Sequence, residues 1–223
     1  MAAAKSDRQY FQQLRSEMIP FIPLGRQRVL EIGCGDGLFL SSLPDVDERW
    51  GIEPDSTAAT QATDRLSRVL CGRFDDVVAD LPENYFDIIV CNDVIEHMSD
   101  HDQFFDKVKN FIRPSGVLVG SVPNVRYYRN LMELLLLRDW HYRSNGVLDK
   151  THLRFFTRRS LRHSLVVHGY KIDRLELINR STPWSWTKWD MLYFASGYLL
   201  IALSLGWFRD IRYVQIAFRA SPA

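Results

Sequence analysis

Val29-Leu30-Glu31-Ile32-Gly33-Cys34-Gly35-Asp36-Gly37-Leu38-Phe39 is the stretch that decides the fold of this 223-residue chain. An apolar run ends in an acid, and three glycines then alternate over five residues before apolar positions resume. That order predicts a strand, a tight turn and a helix. Glycine lets such a turn take positive φ, and the missing Cβ lets a ligand lie directly on the backbone. In an open α/β sheet such a ligand sits in the crevice beyond the carboxyl ends of the strands. An ordinary Gly-rich turn needs neither the acid nor the regular spacing, so the stretch reads as a seat for a nucleotide-like molecule.

The next acid supports this. Trp50–Asp55 reads as a second strand ending in Glu53, which falls 20 residues after Gly33. At about that interval a carboxylate meets ribose hydroxyls in dinucleotide folds. A helix capped by Asp55 or Ser56 and a third strand at Val69–Gly72 follow. Phe86–Cys91 is a continuous apolar run, as expected of a strand covered on both faces. It leads into Asn92-Asp93-Val94-Ile95-Glu96-His97-Met98. A helix over Asp100–Ile112, a turn at Arg113–Gly116 and a fifth strand at Val117–Val122 complete an alternation that implies a parallel, doubly wound sheet. Glu31, Glu53, Asn92, Asp93 and Asn124 are the polar groups this pattern brings to the strand ends.

Together these residues resemble the class I S-adenosylmethionine-dependent methyltransferases. Val29–Phe39 is similar to their first motif, Glu53 to their ribose-binding acid, and Phe86–Met98 to their fourth-strand motif. Arg113–Val119, Ser121–Asn124, Thr151-His152-Leu153-Arg154-Phe155-Phe156-Thr157 and Ser160-Leu161 extend the likeness. The longer pattern resembles a subgroup common in bacterial glycan, lipid and quinone pathways. It implies a Rossmann-like, seven-stranded and mostly parallel sheet with helices on both faces, an antiparallel last strand and helical insertions. S-adenosyl-L-methionine is the implied cofactor, held by Glu31, Gly33, Gly35, Gly37, Glu53, Phe74, Asn92 and Asp93. After the third strand the family often has Gly-Asp, where this chain has Gly72-Arg73-Phe74-Asp75, so Phe74 is expected to pack on the base. A nicotinamide enzyme is disfavoured because Leu38 stands where that fingerprint wants its third glycine.

His152, His97 and Asp93 are the expected catalytic residues, the histidines as bases that take a hydroxyl proton. Asp93-x-x-Glu96-His97 also gathers three oxygen or nitrogen donors, an arrangement that holds a divalent ion in some quinone-pathway relatives. No resident metal is expected here.

Composition sets the partners. An apolar share of 46% and a charged share of 25% fit a globular protein with a substantial core. Net charge is only +1, yet residues 1–125 carry a net of −8 and residues 126–223 a net of +9. Between Arg126 and Arg162 nine basic residues face three acidic ones. The second half therefore suits an anionic small molecule or a glycan- or lipid-linked acceptor, with a solvated basic face as the bland alternative. Nucleic acid is not expected, for want of a reader motif. Cys34, Cys71 and Cys91 lack metal-ligand spacing and read as small buried hydrophobes, consistent with a cytoplasmic site.

Residues 1–24 are expected to be a helical flank, with an amphipathic helix over 6–19 ended by Pro20 and Pro23, and residues 25–223 the methyltransferase domain. Arg126–Arg138 reads as an apolar helix, and Thr157 opens another that Gly169 ends. A sixth strand follows to about Ile178, and Arg212–Arg219 is the antiparallel seventh. Between them Met191–Phe208 is 18 residues without a charge. The expectation is a helical insertion over about 181–210 that dips into one leaflet without crossing, peripheral on the inner face of the membrane. A homodimer interface is the competing reading. Oxygen methylation is the expected reaction. The alternatives are methylation of a quinone precursor and a non-catalytic, cofactor-binding partner subunit.

Overall fold

The computed structural model describes residues 14–25, 27–181 and 188–223. Its strands are β1 (Gln27–Ile32), β2 (Val46–Glu53), β3 (Arg68–Cys71), β4 (Phe86–Asn92), β5 (Ile112–Pro123), β6 (Tyr170–Arg180) and β7 (Tyr213–Pro222). They form one sheet in the order β3-β2-β1-β4-β5-β7-β6. β1 to β5 pair in parallel, and β7 lies antiparallel between β5 and β6. This is the seven-stranded, Rossmann-like arrangement that the sequence implies. The strand order reverses between β1 and β4, so the crevice at that reversal opens where the glycine turn leaves β1.

The sheet is buried on both sides because its central strands are apolar at consecutive positions. Leu30 on β1 and Ile89 and Cys91 on β4 join one core cluster, with Phe86, Phe105, Leu161 and Phe218. Val29 on β1 and Ile88 and Val90 on β4 join the other, with Phe39, Leu40 and Val119. Successive side chains of a strand point to opposite faces, so a continuous apolar run fills two cores at once.

The helices are α1 (Leu38–Ser42), α2 (Ser56–Ala62), α3 (Phe74–Val77), α4 (His101–Val108), α5 (Tyr128–Met132), α6 (Arg158–Val167) and α7 (Lys188–Leu203). Their starts follow local chemistry. Asp55 caps α2 by accepting from the Ala58 amide at 2.8 Å, and Asp100 caps α4 from the Gln103 amide at 2.9 Å. Thr157 and Ser160 cap α6 reciprocally, and Gly169 ends that helix at φ +73°.

Several expectations need correction. Arg113–Gly116 lies within β5 as a bulged stretch: Phe86 pairs with Ile112, but Ile88 pairs with Val117. The apolar segment after Arg126 is only α5 followed by a π-helical turn over Glu133–Leu137. Residues 1–13 of the expected N-terminal helix lie outside the described residues. Its end is a 3-10 helix over Ser16–Phe21 with Pro20 inside it. Proline is tolerated there because a short 3-10 turn has few interior N–H bonds to lose. Cys34 and Cys91 are buried, whereas Cys71 at the end of β3 is exposed.

Candidate active site

Gly33, Gly35 and Gly37 all adopt positive φ, at +73°, +55° and +79°. A Cβ on Gly33 would stand 2.7 Å from Val94 Cγ2, so the turn closes only with glycine there. The two acids of the opening motif flank this turn. Glu53, at the end of β2, accepts from the Gly35 amide at 2.8 Å and the Asp55 amide at 2.9 Å. It ties the turn to the next strand, and burial still raises its pKa. Glu31 is 3% exposed at the end of β1, and its Oε2 has no hydrogen-bond partner. Burial pushes its pKa up to about 8, against the pull of nearby Arg15. A buried carboxyl with a vacant oxygen fits a cationic ligand group.

The end of β4 carries the second cluster. Asp93 takes φ +52°, and its side chain is fully engaged. Oδ1 accepts from Ser121 Oγ at 2.8 Å, and Oδ2 accepts from Arg15 Nη1 at 2.7 Å and Gln215 Nε2 at 2.5 Å. Arg15 also donates to Ser121 Oγ at 2.8 Å. The segment before β1 is thereby pinned over the ends of β4 and β5. Asn92 has neither side-chain polar atom partnered, although both are buried. Asn124 instead serves the fold: it donates to the carbonyls of Asp210 and Tyr213 at 3.1 and 2.9 Å and accepts from the Arg126 amide.

His97 and His152 meet although 55 residues separate them. The amides of Leu153 and Arg154 both donate to the Glu96 carbonyl, at 2.7 and 3.0 Å, and this docks the second segment on the first. The imidazoles lie edge to face with centroids 4.8 Å apart. His97 Nδ1 lies 3.2 Å from the Thr151 carbonyl and His152 Nδ1 3.0 Å from the Val147 carbonyl. A carbonyl only accepts, so each Nδ1 carries a proton there and each Nε2 stays outside these two bonds. Burial and the neighbouring His152 lower the His97 pKa, which keeps it neutral. Glu96 is fully buried beside them, with neither carboxyl oxygen hydrogen-bonded. Burial, then Asp93, raises its pKa well above the carboxylate range. Donor atoms of Glu96, His97 and His152 lie within 4.8 Å of one another, so this set could take a cation.

The site thus gathers Glu31, the three glycines, Glu53, Asn92 and Asp93 along the strand ends, with His97 and His152 beyond. Phe74 does not stand open beside them. Its ring is 5% exposed and packs edge-on against Phe104 and Phe111, committed to the core. Sequence reasoning missed Arg15, Ser121 and Gln215. Ser121 has a signal in the apolar strand it interrupts. Gln215 has none, because only the antiparallel insertion of β7 brings it to Asp93.

The turn, its two acids and the strand ends lie together on a sheet whose last strand in sequence, β7, runs antiparallel to its neighbours. A family profile described as "Methyltransferase domain" matches residues 4–175. The chain belongs to this methyltransferase-domain family. A Mycolicibacterium smegmatis protein named "Probable S-adenosylmethionine-dependent methyltransferase" is 34% identical over 97 residues, covering 43% of this chain and 38% of that protein. A Bradyrhizobium diazoefficiens protein named "Ubiquinone biosynthesis O-methyltransferase" is 31% identical over 105 residues, covering 45% of this chain and 42% of that one. The matches therefore span about two-fifths of these relatives. The fold matches a solved S-adenosylmethionine-dependent methyltransferase of Archaeoglobus fulgidus with TM-score 0.66 at 18% identity, over 96% of this chain and 93% of that one.

Proposed function

We propose that this protein transfers a methyl group from S-adenosylmethionine to an oxygen of an anionic or lipid-linked small molecule or glycan intermediate. The observation that carries the cofactor is Glu31, a buried carboxyl with an unpartnered oxygen at the glycine turn. When bound, the cofactor supplies a methyl already activated by the sulfonium charge. Glu31 pairs with its ammonium group, Glu53 with the ribose hydroxyls, and the turn of Gly33, Gly35 and Gly37 lets the backbone approach it. Asn92 offers two unpartnered polar atoms to the ligand. Asp93, held by Arg15, Ser121 and Gln215, contributes a fixed negative charge at the end of β4. His152 and His97 present Nε2 atoms that accept the proton of an acceptor hydroxyl. The segment Thr151–Thr157, docked on Glu96, keeps water from that side of the site. The basic stretch from Arg126 to Arg162 favours an anionic acceptor, and the insertion over about 181–210 favours one presented at a membrane, with the protein peripheral on its inner face.

A second reading is favoured by one observation. Both oxygens of Glu96 are buried without a partner beside two histidines with free Nε2 atoms, a donor set suited to a divalent cation. Turnover in a chelator distinguishes the two: unchanged turnover keeps the metal-free reading, and loss restored by one divalent ion replaces it. The main test incubates the full chain with methyl-labelled S-adenosylmethionine and a membrane and glycan extract. Labelled product is expected. Cofactor binding without label in any fraction would identify a non-catalytic partner subunit instead.

A further inference from the structure

The connection between β6 and β7 leaves and returns at one edge of the sheet. The Ser181 amide donates to the Arg212 carbonyl at 2.9 Å and closes its base. Between these points stands α7, apolar on every side. Its inner side is accounted for: Tyr193 packs with Tyr128 and Met132 of α5 and with Ile211. Gly197 allows this approach, because a Cβ there would meet Tyr128 Cβ at 3.0 Å. The outer side is not covered. Leu199 is 59% exposed, Leu203 75%, Leu205 97% and Trp207 81%. The π-helical turn after α5 also exposes Leu134 to Leu137, each by 43% or more.

We propose that this two-helix unit is a wedge that enters the headgroup region of an anionic bilayer, tip first at Leu205 and Trp207. The inference deepens the lipid-linked acceptor reading above and adds the turn at Leu134–Leu137 to the docking surface. Three observations favour lipid over a second copy of the chain. Leu205 and Trp207, the most exposed of these residues, sit on the single turn after α7, whereas a dimer interface needs a broad face that packs. A tryptophan at such a tip, followed by Arg209, has the amphipathic chemistry of a bilayer interface. The cations Arg138, Lys188 and Arg209 are exposed at the wedge. Of the acids described nearby, Glu133 and Asp210 are engaged by Arg143 and Arg126, and Asp139 is exposed beside Arg138. That bias complements anionic headgroups.

The wedge dips and does not span. At about 1.5 Å per residue, 16 residues of α7 reach about 24 Å, short of a hydrocarbon core of about 30 Å. Among the described residues no helix is long and apolar enough to cross a membrane. The base of the wedge is fixed to the site, because Asn124 at the end of β5 holds the carbonyls of Asp210 and Tyr213.

The test is flotation of the full chain with vesicles of phosphatidylcholine alone and of phosphatidylcholine mixed with phosphatidylglycerol. The chain is expected to float with the mixed vesicles, less at high salt, and not with the neutral ones. The exposed-tip variant L205S/W207S is expected to lose flotation at unchanged Tm and unchanged S-adenosylmethionine binding. Failure of the native chain to float would overturn the proposal, as would equal flotation of the variant. A concentration-dependent dimer in ultracentrifugation that the variant abolishes would assign the face to a second copy. Cofactor binding is read separately by calorimetry, so failure of the wedge leaves the methyltransferase reading intact and the reverse also holds.

Discussion

At the residue scale the fold buries two carboxyls, Glu31 and Glu96, before any ligand arrives. Glu31 holds its proton up to about pH 8, because burial outweighs the attraction of Arg15. In the unfolded chain it ionises near 4.5. Between those values the folded state binds more protons than the unfolded one, so stability is full below 4.5 and falls as pH rises towards 8. Glu96 is raised for the same reason and adds the same sign. Thermal melts of the ligand-free chain across that range should show Tm falling with pH, and Glu31→Gln should flatten the fall. The histidines make a separate prediction. His152→Ala and His97→Ala should each lower kcat by about 10²- to 10⁴-fold, the span of a general base, with cofactor Kd unchanged in calorimetry. A loss of cofactor affinity instead would move these side chains from the acceptor to the donor.

The places of Glu31, Gly33, Gly35, Gly37 and Glu53 were legible because they are set by neighbours in sequence: strand, turn, strand. Arg15 and Gln215 were not. They reach Asp93 across 78 and 122 residues, and nothing local marks either as its partner. Phe74 was misjudged for a related reason. An aromatic after a strand suits a base or a core equally, and only the positions of Phe104 and Phe111 decide for the core.

At the scale of elements, the caps show how the second half is held to the site. α6 buries Leu161 and Leu165 completely against the sheet, and Thr157 at its start is the last residue of the segment that carries His152. The Ser160 amide donates to Thr157 Oγ1 at 3.1 Å, and the Thr157 amide donates to Ser160 Oγ at 2.9 Å. Thr157→Ala should cost about 1 kcal/mol in urea unfolding. It should leave kcat unchanged, because Leu153 and Arg154 still fix the segment through the Glu96 carbonyl. The sequence marks this helix by its Thr-x-x-Ser start and its Gly169 end. It does not mark the bulge at Arg113–Gly116, where a Pro-Ser-Gly run reads as a turn but the chain keeps pairing with β4 on both sides.

At the scale of the whole molecule, the first five strands carry the glycine turn and the acids beside it, and the remainder completes the sheet. β7 inserts between β5 and β6, so one strand both closes the fold and delivers Gln215 to Asp93. The division of charge follows the same line, acidic to residue 125 and basic beyond it. The parallel half was readable as alternating strands and helices. The antiparallel β7 was readable from resemblance, and the uncovered side of α7 only from exposure.

The central claim is that Glu31 and the glycine turn hold S-adenosylmethionine, and titration calorimetry of the full chain at a pH below 8 tests it most directly. One site per chain is expected, with release of a proton from Glu31 read from the dependence of heat on buffer ionisation. Affinity should be about 10- to 100-fold weaker in Glu31→Gln, as expected for losing a hydrogen bond to a charged group. Absence of binding heat, together with an unshifted Tm at saturating S-adenosylmethionine, would contradict that claim.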